Sequence, residues 1–215
     1  MARRPAQRRP QAQRISVRFT EAIDALRRRL ALGSEEWRAL ESAEGATATR
    51  AADEVLKAVT RDLLEAVLQA VEDGTTFEAF RADYDRIVTT HGWRSPRGAG
   101  WHAQLVYRMQ TSLAFAAGRR EQAERLEAAR PGTTFGRLVT VGDHRVRHAH
   151  AQTHGIIRPI GDAYWQTHWP PNGFNCRCYV QVVTAVMMRS AGWDVTAPSE
   201  PAMKIAPDAG WGLRH

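Results

Sequence analysis

The stretch from Asp143 to Val180 concentrates the side chains able to do metal or nucleophile chemistry. It holds five of the eight histidines (His144, His148, His150, His154 and His168), and near its end stand both cysteines, Cys176 and Cys178. Imidazole and thiolate are zinc ligands, and a closed structural zinc site takes four of them in a tetrahedron. On an extended backbone, side chains at i and i+2 share a face, so Cys176 and Cys178 are expected to point the same way. With His150 and either His154 or His168 they could surround one ion, and His150, Cys176, Cys178 and His168 form the candidate structural zinc set. The plainer alternative is that a Cys-x-Cys pair is half a site and that small inward-facing cysteines fill core. A catalytic zinc would need three protein ligands, an open position and a general base, for which Asp143 or Asp162 is available. A disulfide between residues at i and i+2 would be strained. Two cysteines do not make a disulfide framework either, so reduced thiols in a cytosolic compartment are expected.

The loop that delivers these thiols is Trp169-Pro-Pro-Asn-Gly-Phe-Asn175. Its prolines fix φ, and Asn172–Gly173 is read as the pair supplying positive φ, so the loop should be a rigid turn. Short β-rich runs lie around it, over residues 135–141, 156–160 and 179–183, and read as strands. Ahead of them the pattern is helical. Phe19, Ile23, Leu26 and Leu30 make one apolar stripe, and Val55, Val59, Leu63, Ala66, Val67 and Ala70 make another over residues 51–71. Thr75 or Thr76 should cap a helix that ends near His91–Gly92. A long helix is expected over residues 99–129, with Trp101, Leu105, Met109, Leu113 and Ala116 on its stripe. Its small residues Ala114, Ala116, Ala117 and Gly118 allow close approach of another element. After Thr184 come Pro198, Pro201 and Pro207 with several glycines, which reads as an extended arm whose Trp193 and Trp211 could anchor in a partner's groove.

The predicted class is therefore α+β: an N-terminal helical bundle with long helices, a small C-terminal β-sheet carrying the Pro-Pro-Asn-Gly to Cys-Arg-Cys loop, and extended terminal arms. The expected division is residues 1–14 as a basic arm, 15–94 as a helical region, 95–184 as a core of long helix plus sheet, and 185–215 as the C-terminal arm.

Composition bounds what such a chain can do. Of 215 residues, 43% are hydrophobic and 25% charged, an ordinary globular mixture with enough length to bury a core. Apolar stretches are broken by charge well short of the ~20 residues that span a bilayer. The N-terminus has no apolar h-region, so neither a membrane span nor a secretory signal is expected. Thirty basic residues face 23 acidic ones, net +7, and only Lys57 and Lys204 are lysines. Part of the excess sits in Arg3, Arg4, Arg8, Arg9 and Arg14, in a tract without acids. A tract of this kind cannot bury enough apolar surface to fold, and it suits nucleic acid or an acidic protein face.

Read together, Asp143, Arg145, Arg147, His150, Gly155, Trp165, Pro170, Pro171, Asn172, Gly173, Phe174, Cys176, Arg177 and Cys178 resemble the C-terminal signature of the phage Mu F-like minor head protein family, also called the phage head morphogenesis domain. Looser likenesses extend over most of residues 15–212. They include Phe77, Phe80 and Arg81, then Ala117-Gly118-Arg119 with Gln122, then a closing motif of Asp208, Gly210 and Trp211. The resemblance implies a minor capsid protein of a tailed phage, a prophage or a phage-derived particle. Its location would be the virion head, at the portal vertex or capsid interior, and the host cytoplasm during assembly. The implied partners are portal protein and major capsid protein, with DNA as an alternative or additional one. Catalysis, a small-molecule substrate, a membrane and any cofactor beyond a structural zinc are not implied. A sister family carries further Cys and His ligands where this chain has Arg147, His150 and Gly173. Hydrogen bonds from Asp143, Arg145 and Arg147 are the implied replacement for a metal.

Overall fold

A computed structural model describes residues 20–30, 53–92 and 98–211. The arginines of residues 1–14, together with Trp37 and Trp93, lie outside the described residues. Among the described residues the first elements are the helices α1 (Thr20–Leu30), α2 (Asp53–Asp73), α3 (Phe77–Thr90) and the long α4 (Ala99–Ala129). Then come β1 (Thr134–Val139), α5 (His148–Gln152), β2 (Ile157–Pro159), α6 (Trp165–His168), β3 (Tyr179–Thr184) and α7 (Ala185–Ala191), with a 3-10 turn at Pro201–Lys204. The class is α+β, with several N-terminal helices and a small C-terminal antiparallel sheet.

The helices form where apolar periodicity and caps agree. Thr76 caps α3, its Oγ1 accepting from the Ala79 amide at 3.4 Å. Leu26, Val59, Leu63, Leu64, Val67, Phe80, Tyr84 and Ile87 are buried together in a helical core to which α4 contributes Ala103 and Ala114. The small residues of α4 do allow close approach: a Cβ on Gly118 would stand 2.7 Å from the Ala22 backbone nitrogen of α1. Ion pairs flank this crossing, Arg125 to Glu21 at 3.2 Å and Arg28 to Glu121 at 3.1 Å. His91 bonds Asp62 at 2.7 Å and His102 bonds Tyr84 at 2.9 Å. The two histidines therefore bridge α3 to α2 and α3 to α4. Trp101, expected on the packing stripe of α4, is exposed instead. The buried face runs through Ala103, Met109, Leu113, Ala114, Gly118 and Ala123.

Glu127 turns the chain out of α4, its carboxylate accepting from the amides of Gly132 at 2.7 Å and Thr134 at 3.1 Å. The sheet order is β2-β1-β3, antiparallel throughout, with Gly136 opposite Arg158 on one side and Val182 on the other. Trp165 lies over Gly136, where an added Cβ would meet the indole at 2.7 Å. Leu138, Ile156, Ile160, Tyr164, Trp165, Trp169 and Val180 make a second core with Ala123 of α4.

The extended C-terminal arm is corrected. Thr184 caps the short helix α7, and Gly192 closes it in the left-handed conformation, φ 63°. Thr196 then bonds both ways with the Ile157 backbone of β2 at 2.9 Å. Trp211 is buried beside Met109 and Leu113, and Trp193 packs on Ile157, Val183 and Met188 under the Arg137 guanidinium. Both indoles find their partners inside the molecule.

Candidate metal centre and its polar clasp

Three segments far apart in sequence meet at one end of the sheet. α5 begins straight after the Asp143–Arg147 loop and presents His150 inward. The Pro-Pro-Asn-Gly turn delivers Cys176 and Cys178 just before β3. The segment after the 3-10 turn brings Asp208.

The turn is held from several sides. The Trp169 indole N–H donates to the Ala116 carbonyl of α4 at 3.0 Å, and the Asn175 amide approaches the Met109 sulfur at 3.1 Å. The Pro170–Pro171 peptide is cis. Positive φ falls on Asn175, at 55°, and not on Asn172 or Gly173. Gly173 is needed for another reason: a side chain there would collide with the Asp208 carboxylate. The Asp208 amide in turn donates to the Asn172 carbonyl at 3.0 Å.

At the centre, His150 Nδ1 lies 3.5 Å from Cys176 Sγ and 3.8 Å from Cys178 Sγ, and the three possible ligand atoms lie within 4.8 Å of one another. His150 Nε2 faces Asp208 Oδ1 at 3.3 Å. The Cys176 thiol is pulled well below its ordinary value by hydrogen bonds from Cys178, from His150 and from the backbone amides of Asn172 and Cys178. The Cys178 thiol is pushed up by its hydrogen bond to Cys176 and by burial. The His150 imidazole is raised, first by its bond to Cys176 and then by the Cys176 and Asp208 charges, against a burial effect that lowers it.

Around this centre runs a polar clasp. Arg177 makes two bonds to Asp143, each 2.6 Å, and Asp143 Oδ1 also accepts from the Arg145 amide at 3.0 Å. These bonds, the Arg177 pair first, hold the Asp143 carboxyl down at about 2. Arg147 donates to the Phe174 carbonyl at 2.6 Å and pairs with Asp208 at 3.3 Å. Of the candidate residues, the structure thus brings together His150, Cys176 and Cys178, with Asp143, Arg147 and Arg177 around them. Gly155, at φ 89°, lies on the β1–β2 connection, its amide donating to the Leu138 carbonyl at 2.8 Å.

His168 is not part of the cluster. Its ring stacks on Tyr164 with centroids 4.1 Å apart, and its Nε2 bonds the Ile205 carbonyl at 3.2 Å. His154 bonds the Thr140 amide at 3.1 Å instead. The sequence reading gave Asp208 no role at the site. Its one signal was the closing motif Asp208, Gly210, Trp211.

Chemically, this set can hold a soft divalent ion or keep a thiol–imidazole–carboxylate relay. In a tetrahedral site with metal–sulfur at about 2.3 Å and metal–nitrogen at about 2.0 Å, sulfur and nitrogen ligands stand about 3.5 Å apart. The 3.5 and 3.8 Å separations fit that spacing.

The family model for phage Mu protein F like protein matches residues 61–181, which takes in α3, α4, most of α2, β1, β2, the start of β3 and the Cys-Arg-Cys loop. The chain belongs to the phage Mu protein F-like family. Its relatives include a putative capsid assembly protein F of Escherichia phage Mu, 31% identical over 160 residues, covering 66% of this chain and 36% of that protein. They also include the Mu-like prophage FluMu F protein of Haemophilus influenzae, 27% identical over 180 residues, covering 74% of this chain and 43% of that protein. The chain thus spans well under half the length of these curated relatives. No solved structure matches it with significance. Asp208 lies beyond the stretch matched by the family model, although it completes the site.

Proposed function

We propose that this chain is a structural head-morphogenesis protein, a minor capsid component of a tailed phage, a prophage or a phage-derived particle. It sits in the virion head, at the portal vertex or the inner face of the capsid, and in the host cytoplasm while heads assemble. Its partners are portal protein and major capsid protein. It turns over no small-molecule substrate and engages no membrane, and among the described residues no helix is long and apolar enough to cross one.

The observation that carries this reading is the family match over residues 61–181, which contains the Pro-Pro-Asn-Gly to Cys-Arg-Cys loop, together with a relative bearing the name capsid assembly protein. We assign residues 1–14 to a basic arm, 15–94 to a helical region and 95–184 to the morphogenesis core, with 185–215 closing the chain. The site serves as a fastening of chain segments: Asp143, Arg145, Arg147, Pro170, Pro171, Asn172, Gly173 and Arg177 hold the loop in place, and Gly155 shapes the β1–β2 connection.

The test is co-expression with the cognate portal and major capsid proteins, followed by affinity capture of this chain. Portal recovered with the full chain, and reduced when residues 1–14 are removed, is the expected result. Recovery of neither capsid protein overturns the reading. The net charge of +7 and the arginines of residues 1–14 favour contact with packaged DNA as a second reading. Binding in a shift assay should then weaken steeply with salt, in proportion to the phosphates contacted. An absence of any shift at low salt removes it.

A further inference from the structure

We infer that His150, Cys176 and Cys178 form a three-donor site for a zinc-class divalent ion, and that filling it fastens the C-terminal segment through Asp208.

The donors are of the right kind and in the right place. Two sulfurs stand 3.5 and 3.8 Å from one imidazole nitrogen, close to the edge of a zinc tetrahedron, and His150 and Cys176 are buried. Behind the imidazole, Asp208 accepts from Nε2 at 3.3 Å, the carboxylate–histidine arrangement that orients metal-bound rings and raises their basicity. The charge is balanced. Two thiolates match a divalent ion, and two of the guanidiniums at the site are paired, Arg177 with Asp143 and Arg147 with Asp208. A cavity of about 10 Å³, lined by the three donors together with Arg145 and Asn175, leaves room for about one water beside them. His168, bonded elsewhere, is not the fourth ligand.

The same contacts tie the ion to the end of the chain. Asp208 reaches His150 only because Gly173 leaves room for it, and its amide is pinned to the Asn172 carbonyl. An ion that fixes the imidazole therefore also fixes the segment from Pro201 to Trp211. This inference does not rest on the head-assembly reading, and its failure leaves that reading standing.

The experiment uses the full chain, purified under reducing conditions and titrated with cobalt(II). An equimolar end point is expected, with a thiolate-to-cobalt charge-transfer band and the visible bands of a tetrahedral ion, both displaced by zinc. Cys178→Ser should abolish the charge-transfer signal at that end point. Asp208→Asn should keep the stoichiometry but weaken affinity roughly 10–100-fold. Zinc should also slow proteolysis within residues 193–211. The inference is overturned if no band forms, or if the band survives in both Cys176→Ser and Cys178→Ser. Should those variants not fold, alkylation of the wild-type chain decides. Zinc must slow iodoacetamide labelling of both cysteines, and equal labelling with and without zinc points to a free thiol–imidazole pair instead.

Discussion

A methyl group on residue 173 would run into the Asp208 carboxylate. Gly173→Ala should therefore push the C-terminal segment off the loop, at a cost of about 1–3 kcal/mol for overpacking. Faster proteolysis after residue 193 and a change in Trp211 fluorescence would register it, whereas an unchanged cleavage pattern would mean that Asp208 does not hold the segment. Asp143 carries a different signature. Its carboxyl is held at about 2, below the ordinary 3.8, by Arg177. A depressed carboxyl stabilises the fold above its unfolded pKa and loses that contribution as pH falls through the folded one. The wild-type chain should thus lose stability between pH about 4 and about 2, and Asp143→Asn should flatten that part of the profile in urea titrations. At this scale the sequence displayed donor types but not partners. Gly173 was read as a positive-φ residue, yet Asn175 takes that conformation and Gly173 serves close approach. His150 and Asp208 meet only in three dimensions, which no spacing rule anticipates.

Helices and strands were legible where a periodic face met a recognisable cap. The long helix falls on residues 99–129 as read, and Thr76 caps α3 as one of two candidates. Legibility failed where packing rather than polarity chooses the face. Trp101 looks like an anchor by type, but the buried face of α4 runs through Ala103, Met109, Leu113, Ala114, Gly118 and Ala123, with α1 seated closely at Gly118. It failed again after Thr184, where prolines suggested an arm. There a Thr184 cap and hydrogen bonds from Thr196 to β2 fold the segment back. The crossing yields a clean comparison. Gly118→Ala places a methyl 2.7 Å from the Ala22 backbone, whereas a Cβ on Gly161 meets nothing within 4 Å. Thermal melts should show Gly118→Ala destabilised by about 1–3 kcal/mol and Gly161→Ala near neutral. Equal effects would mean that α1 does not seat on α4 as described. The ion pairs flanking the crossing, each with an exposed arginine, are worth well under that, about 0–1 kcal/mol apiece.

Considered as a whole, the molecule is organised along α4. That helix gives Ala103 and Ala114 to the helical core, Met109 and Leu113 to the cluster holding Trp211, and Ala123 to the core beneath the sheet. The Cys-Arg-Cys loop leans on the same helix through Trp169 on Ala116 and Asn175 on Met109. Neither core can open without disturbing the packing of this one helix. Leu113 lies midway and is fully buried. Leu113→Ala should cost about 2–5 kcal/mol. It should also lower the unfolding midpoint seen by helix circular dichroism and the one seen by tryptophan fluorescence, to which the buried Trp165 and Trp169 of the sheet core contribute, by the same amount. If the tryptophan transition moves alone, the sheet half unfolds independently and α4 is a tether between two bodies.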